Sequence, residues 1–295
     1  MSASVVRLLS LLFFSIFSSS LLASAKTMDW VGCGISKKAY MTEMAKAYEK
    51  RQNAKINVNG GGATKGIRKV AANEAQMGGS CRYYLPGNEV EEGVSFEPVA
   101  WDALVVIVNK NNEIDNISFS QVRDLYLGKI KNWKQLGGKD APINLFIRKG
   151  RISGVGYTIR KLLFANSEQK FSGSKIFKSS GPLEKAVIDD PNAISISGIS
   201  SARLRDVKIL KLNNKYPDYN TIKSGQYVLY RPLFLTYLKD SKNIDQIKDF
   251  IKFVHSWDGR KIMKDNGVVP YLEALRLVMK QIKQDQMADQ YSQEN

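Results

Sequence analysis

Residues 57–70 read NVNGGGATKGIRKV, an alternating strand pattern, three consecutive glycines and then the start of a helical pattern. Gly60, Gly61 and Gly62, followed by Ala63 and Thr64, leave main-chain N–H groups bare at the mouth of a helix. Such amides grip anions, because the first helical turn leaves them unpaired and the aligned peptide dipoles place about half a positive charge there. The same arrangement recurs. DWVGCGIS, RISGVGYTIRKLLF and KSSGPLEKAVIDD each set Gly beside Ser at the opening of a helix, and QMGGSCR ends an extended stretch in the same way. An arginine adds a planar fork that holds two oxygens at once. Arg148, at the end of the strand PINLFIRKG, and Arg151, in the turn after it, compete for that place, and the strand end favours Arg148. Arg82 belongs either at the rim of such a pocket or in solvent.

Turns of this kind act together only if one scaffold brings them to one side. Repeated strand-turn-helix units predict an α/β protein with a largely parallel sheet, its ligand side at the C-terminal ends of the strands. About 270 residues follow the leader described below, enough for two lobes with separate cores or one large α/β domain. SFEPVAWDALVVIVNK, residues 95–110, is expected to cross from one lobe to the other, and QYVLYRPLFLTY to bring the chain back. A helix is predicted from Ser118 or Ser120 to a stop at Gly128, and one or two helices within IDQIKDFIKFVHSWDGRKIMKDNG. The expected division is 26–104 and 225–271 in the first lobe and 105–224 in the second. Residues 272–295 form a polar tail, helical and frayed.

Arg7, the apolar run LLSLLFFSIF and the small-residue pattern Ala23-Ser24-Ala25 read as an export signal, 1–25, cleaved after Ala25. The apolar run is too short and too broken by serine to span a bilayer. The expected address is therefore the periplasm or beyond. The formal charge of +16 steers acidic partners toward the protein. Its lysines are scattered without a basic block, so no nucleic-acid partner is expected. Cys33 and Cys81 are an even pair in an oxidising compartment and read as a disulfide. Two thiols and the single His255 are too few for a zinc site, and they offer no nucleophile-base pair, so neither a metal, another cofactor nor an enzyme is expected.

In order, the glycine turn after the first strand, GGGATKGIRKVAANEAQMGGSCR, the Arg followed by Ser-Gly before a helix, DDPNAISISG and FIKFVHSWDGRKIMKDNGVVP resemble the periplasmic phosphate-binding proteins of ABC importers, the PstS-like family. The resemblance runs from about Trp30 to Pro270. It implies a type 2 periplasmic binding protein: two α/β lobes, two crossover strands, a central cleft that closes on its ligand, and no catalytic residue. The implied ligand is inorganic phosphate or a similar oxyanion, and the implied partners are the membrane subunits of an ABC importer, the binding protein itself being a monomer. Carried over by position, the ligand contacts are Ser36, then Thr64 or the amides of Gly62 and Ala63, then Ser80 and Cys81, an arginine that is Arg148 or Arg151, and Ser153 with Gly154 and Val155. Three positions depart from the family pattern. Val155 replaces a hydroxyl residue, Ala63 stands where a serine occurs, and Cys81 stands where an acidic acceptor is found. The last change removes the group that selects a protonated anion over a fully ionised one. It leaves open a second reading, a binding-protein fold serving as a sensor or attachment factor through its basic face.

Overall fold

The computed structural model describes residues 26–294, so the expected export signal, 1–25, lies outside the described residues. Twelve strands are present among them: β1 (Lys26–Gly32), β2 (Ala54–Gly60), β3 (Met77–Ser80), β4 (Val94–Asn109), β5 (Asn116–Ile117), β6 (Asn144–Arg148), β7 (Lys175–Phe177), β8 (Ala193–Gly198), β9 (Val207–Ile209), β10 (Lys211–Leu212), β11 (Tyr230–Leu238) and β12 (Val269–Pro270). Ten form one sheet in the order β2-β1-β3-β11-β4-β8-β6-β7, with β9 and β12 also on β4; β5 and β10 make a separate pair. β1 runs parallel to β2 and β3, and β6 parallel to β7 and β8. The strand-turn-helix pattern of the sequence produces this, since parallel neighbours need a crossover between them.

β4 is the element common to both lobes. Its first part, to Ala103, pairs with β11, and its second, from Leu104, pairs antiparallel with β8 and β9. Every side chain from Val99 to Val108 is buried, which explains a run apolar on both faces: the strand is covered above and below. The return is shorter than expected. β11 pairs only with β3 and β4, and the crossing is made by the link before it, where Leu104 N–H donates to Leu229 O (2.8 Å) and the Tyr227 hydroxyl to Leu104 O (2.9 Å).

Local signals set the helix ends. Ser118 and Gln121 form a reciprocal cap on the helix Phe119–Leu127, and Gly128 ends it at a φ of 74°. Ser256 closes the helix Ile244–His255 and caps Trp257–Asp265, so that stretch is two helices. His255 lies on the first of these, its Nε2 3.4 Å from Glu97, outside the cavity between the lobes.

The expected frayed tail is instead a docked helix, Arg276–Glu294. It buries Leu277, Gln281 and Ala288, packs on the helix Gly154–Phe164 of the second lobe, and donates from Gln281 to Tyr230 O (3.2 Å) and from Gln284 to Val228 O (2.7 Å). Polarity of composition concealed one apolar face. None of the described helices is long and apolar enough to cross a membrane. Burial predicts the energetics: Leu277→Ala should cost about 2 to 5 kcal/mol, whereas Lys161→Gln, which breaks the half-exposed pair with Asp285 (3.2 Å), should cost under about 1 kcal/mol. Urea unfolding of the two variants measures the difference.

Candidate functional site

Register places the strand ends side by side. Gly32 lies beside Gly60 and Gly79 in the first lobe, and Arg148 beside Phe177 in the second, so the loops that follow face one another across the gap. Between them is a cavity of ≈ 480 Å³. Gly61, Gly62, Ala63, Cys33 and Cys81 line it from one side, and Arg148, Gly154, Val155 and Lys178 to Gly181 from the other.

Two helices open onto this cavity with no side chain on their first turn. The helix Ala63–Ala71 starts from Gly62, whose φ of 98° requires glycine, and Ser180–Asp189 starts from Ser179; neither residue makes a capping bond. Pro182 further reduces the orphan donors of the second helix, since it has no N–H. Arg148 lies between these openings. Its Nη1 donates to Ser180 Oγ (2.7 Å) and its Nη2 to Lys178 O (2.8 Å), which fixes the plane of the guanidinium, while its Nε is buried without a partner. A buried donor in that condition costs about 1 to 3 kcal/mol until an acceptor arrives.

Further charge comes from three residues that the sequence reading does not single out. Lys38, Lys178 and Arg205 also line the cavity, and among the described lining residues there is no Asp or Glu. The nearby carboxylate, Glu184, is fully buried behind the wall, where it accepts from Ser197 Oγ (2.5 Å), Ser201 Oγ (2.8 Å) and Arg205 Nε (3.1 Å). Lys38 donates to Ser201 Oγ (2.8 Å), 3.9 Å from the same carboxylate. Glu184 thus orients two cations toward the cavity without presenting an oxygen there. Burial lowers the pKa of Lys38, an effect that the Glu184 charge opposes.

The expected hydroxyl ligands are occupied elsewhere. Ser36 Oγ meets Ser80 O (3.4 Å) and the Cys33 sulfur (3.2 Å), and Ser80 Oγ donates to Arg82 O (2.7 Å). Thr64 Oγ1 donates to Ile152 O (3.0 Å), Ser153 Oγ caps Gly156 N–H (3.2 Å), and the Gly62 amide donates to Gly32 O (3.1 Å). Ser80 and Ser153 take local backbone bonds, and Ser36 and Thr64 take bonds to distant carbonyls, a competition that motif matching does not register. Of the two arginines, Arg148 lines the cavity and Arg151 pairs outside with Glu168. Arg82 is neither a rim residue nor solvated: it is fully buried, paired with Glu91 (2.6 Å) and bonded to Ile152 O (3.0 Å).

Cys33 and Cys81 are free and buried in this structure, so the expected disulfide is not formed. Burial opposes ionisation of Cys33, but hydrogen bonds from Cys81 and from the Ser36 hydroxyl and amide, with the Arg231 charge, overcome it and bring its pKa down to about 7. Cys81 moves the other way, through its bond to Cys33 and through burial. Beneath them Arg231, itself fully buried, pairs with Asp102 (3.0 Å) and donates to Cys81 O (2.9 Å), tying the crossover strands to the cavity floor.

The lobes are closed. Ile152 O receives Thr64 and Arg82 from the opposite lobe, and Thr158 Oγ1 lies 3.3 Å from Cys81 O. A Cβ on Gly154 would stand 2.2 Å from the Cys81 sulfur but 3.7 Å from its Cβ. Gly154→Ala should therefore hold the lobes apart, and Cys81→Ala in the same chain should let them close again. Small-angle scattering checks this: a larger radius of gyration in the single variant, restored in the double.

A family model described as a PBP superfamily domain matches residues 33–257. The chain is similar to phosphate-binding protein PstS of Borreliella burgdorferi, 30% identical over 266 residues that make up 85% of this chain and 94% of the relative. It is also similar to a phosphate ABC transporter substrate-binding protein from Clostridium perfringens solved with bound phosphate: TM-score 0.75, 26% identity, 83% of this chain and 99% of the other. An ABC-type phosphate transport receptor from Vibrio cholerae gives a TM-score of 0.64 at 25% identity, covering 82% of this chain and 99% of the other.

Proposed function

This chain belongs to the PBP superfamily, in its PstS-like branch, and from that premise we propose that it is an extracytoplasmic binding protein that captures phosphate between its lobes and hands it to an ABC importer. One observation carries the reading. Arg148 lines a single cavity together with three further cations, Lys38, Lys178 and Arg205, and two uncapped helix openings. A bound anion would satisfy these donors together. The expected division into lobes at 26–104 with 225–271, and 105–224, is part of the proposal, as are the leader removed after Ala25, the periplasmic address and the monomer. The ligand contacts we assign are the amides from Ala63 onward, the first amides of the Ser180 helix, Arg148 and Lys178, with Lys38 and Arg205 adding charge.

Among the described residues the wall presents cations, amides and hydroxyls and no carboxylate. A carboxylate in such a wall demands a proton from its guest, and none lines this one. Sulfate, fully ionised at neutral pH, is therefore expected to compete with phosphate. The charge of sulfate is constant across the titration of Cys33, so sulfate isolates the effect of that thiol. Below about pH 7 the thiol is neutral; above it the thiolate places a negative charge in the wall and repels the guest. Sulfate affinity should fall as pH rises from about 6 to about 8 and should be flat in Cys33→Ser, measured by calorimetry.

Arg148→Ala should weaken phosphate binding about tenfold or more, a loss of at least about 1.4 kcal/mol. Ser153→Ala should leave affinity nearly unchanged and cost about 1 kcal/mol of stability as a lost helix cap. Calorimetric titration with phosphate, alongside urea unfolding, separates the two, and unchanged affinity in Arg148→Ala would refute the assignment.

A further inference from the structure

The described residues expose twelve large hydrophobic side chains, and five of them, Leu272, Leu275, Val278, Met279 and Ile282, fall in one eleven-residue stretch that leads into the C-terminal helix and runs along its first two turns. At about 100° per residue, Leu275, Met279 and Ile282 share a line along that helix with Val278 beside it. Leu277, Gln281 and Gln284 face the protein on the opposite side. The inner face is held by Leu277 and by the hydrogen-bonded Gln281 and Gln284, whereas the outer, apolar one has no cover among the described residues: Leu275 is 52% exposed, Met279 63% and Ile282 47%. Soluble proteins seldom leave an unbroken apolar ridge in water unless something meets it.

The charges beside the ridge identify what meets it. Arg276, Lys280 and Lys283, again at i, i+4 and i+7, run along one flank, and no acidic residue occurs between Arg276 and Gln284. Two of these cations are held by carbonyls of the neighbouring helix, Arg276 on Lys223 O (3.2 Å) and Lys280 on Ser224 O (2.7 Å). Of the flanking carboxylates, Glu273 is already shared among Lys264 (2.9 Å), Arg260 (3.5 Å) and Lys223 (3.9 Å), and Asp285, which lines a groove with Val278 and Ile282, is paired with Lys161 (3.2 Å), so the surroundings keep a positive surplus. We propose that this ridge and its basic flank are a docking surface for an anionic lipid bilayer, with the apolar side chains entering the interface and the lysines reaching the headgroups. A second copy is disfavoured, because pairing two such ridges would bring two basic flanks together on molecules that each carry +16. None of the ridge residues lines the cavity between the lobes, so the surface does not depend on which anion that cavity holds.

The test is sedimentation of the processed protein with vesicles of phosphatidylglycerol or of phosphatidylcholine at low and high salt. Binding to the anionic vesicles alone, weakened by salt, is expected. The variant Leu275→Ser/Met279→Ser/Ile282→Ser should bind them about tenfold less, and Lys280→Glu/Lys283→Glu should also bind less. Unchanged unfolding midpoints and phosphate affinity would show that both variants fold. The proposal is overturned if the parent ignores anionic vesicles or if the serine variant binds as well as the parent, leaving net charge as the sole cause. A parent dimer that the serine variant dissolves would also overturn it, by making a second copy the occupant.

Discussion

Closing two lobes over a wall of cations is unfavourable unless a negative guest enters between them. Lys38, Arg148, Lys178 and Arg205 share one cavity with two helix openings, against one buried carboxylate, Glu184, that already serves Lys38 and Arg205. The bonds across the gap, Thr64 and Arg82 to Ile152 O and Thr158 to Cys81 O, contribute about 1 kcal/mol apiece. A guest that neutralises this wall favours the closed form over the open one, so capture and closure are one equilibrium.

That equilibrium needs a floor that does not move with it. β4 supplies the backbone, and the Arg231–Asp102 pair between β4 and β11 supplies a fixed charge directly under the cysteines. Burial raises the Asp102 pKa, and the Arg231 charge and hydrogen bonds oppose that rise. A buried pair of this kind adds little net stability, since desolvation consumes most of the attraction, but removing one partner is costly. Its value here is positional. Arg231 holds the Cys81 carbonyl, and through it the turn that faces Gly154 from across the gap.

The fold was legible in the sequence because its signals are local. Strands ending in glycine and the long, mostly apolar run of β4 depend on neighbours in sequence, as does the Ser118–Gly128 helix with its two caps. The amides of the site were legible for the same reason, since glycine at a helix mouth is a statement about backbone. The hydroxyls were not, because Ser36, Ser80, Thr64 and Ser153 each have a protein partner that motif matching ignores. Lys38 and Glu184 were invisible for another reason: a lysine gains meaning from Ser201, 163 residues away, and composition is blind to such distances. KSSGPLEKAVIDD did carry a usable signal, the Ser-Gly opening whose Ser180 and Gly181 stand at the cavity end of that helix.

The C-terminal helix shows how the cavity is coupled to the rest of the molecule. Its buried face is hooked to Val228 O and Tyr230 O, at the link by which the chain returns to the first lobe. Its flank packs along the Gly154–Phe164 helix, whose opening lines the cavity. When the second lobe swings, that helix must slide against one anchored at the crossover, a shear between packed helices in place of a free hinge. Lys161–Asp285 bridges the sliding surfaces, and a half-exposed pair can break and re-form at little cost. The packed face of Leu277 and Gln281 cannot. The helix therefore limits how the lobes part without latching them, which leaves the guest in the cavity as the element that holds them closed.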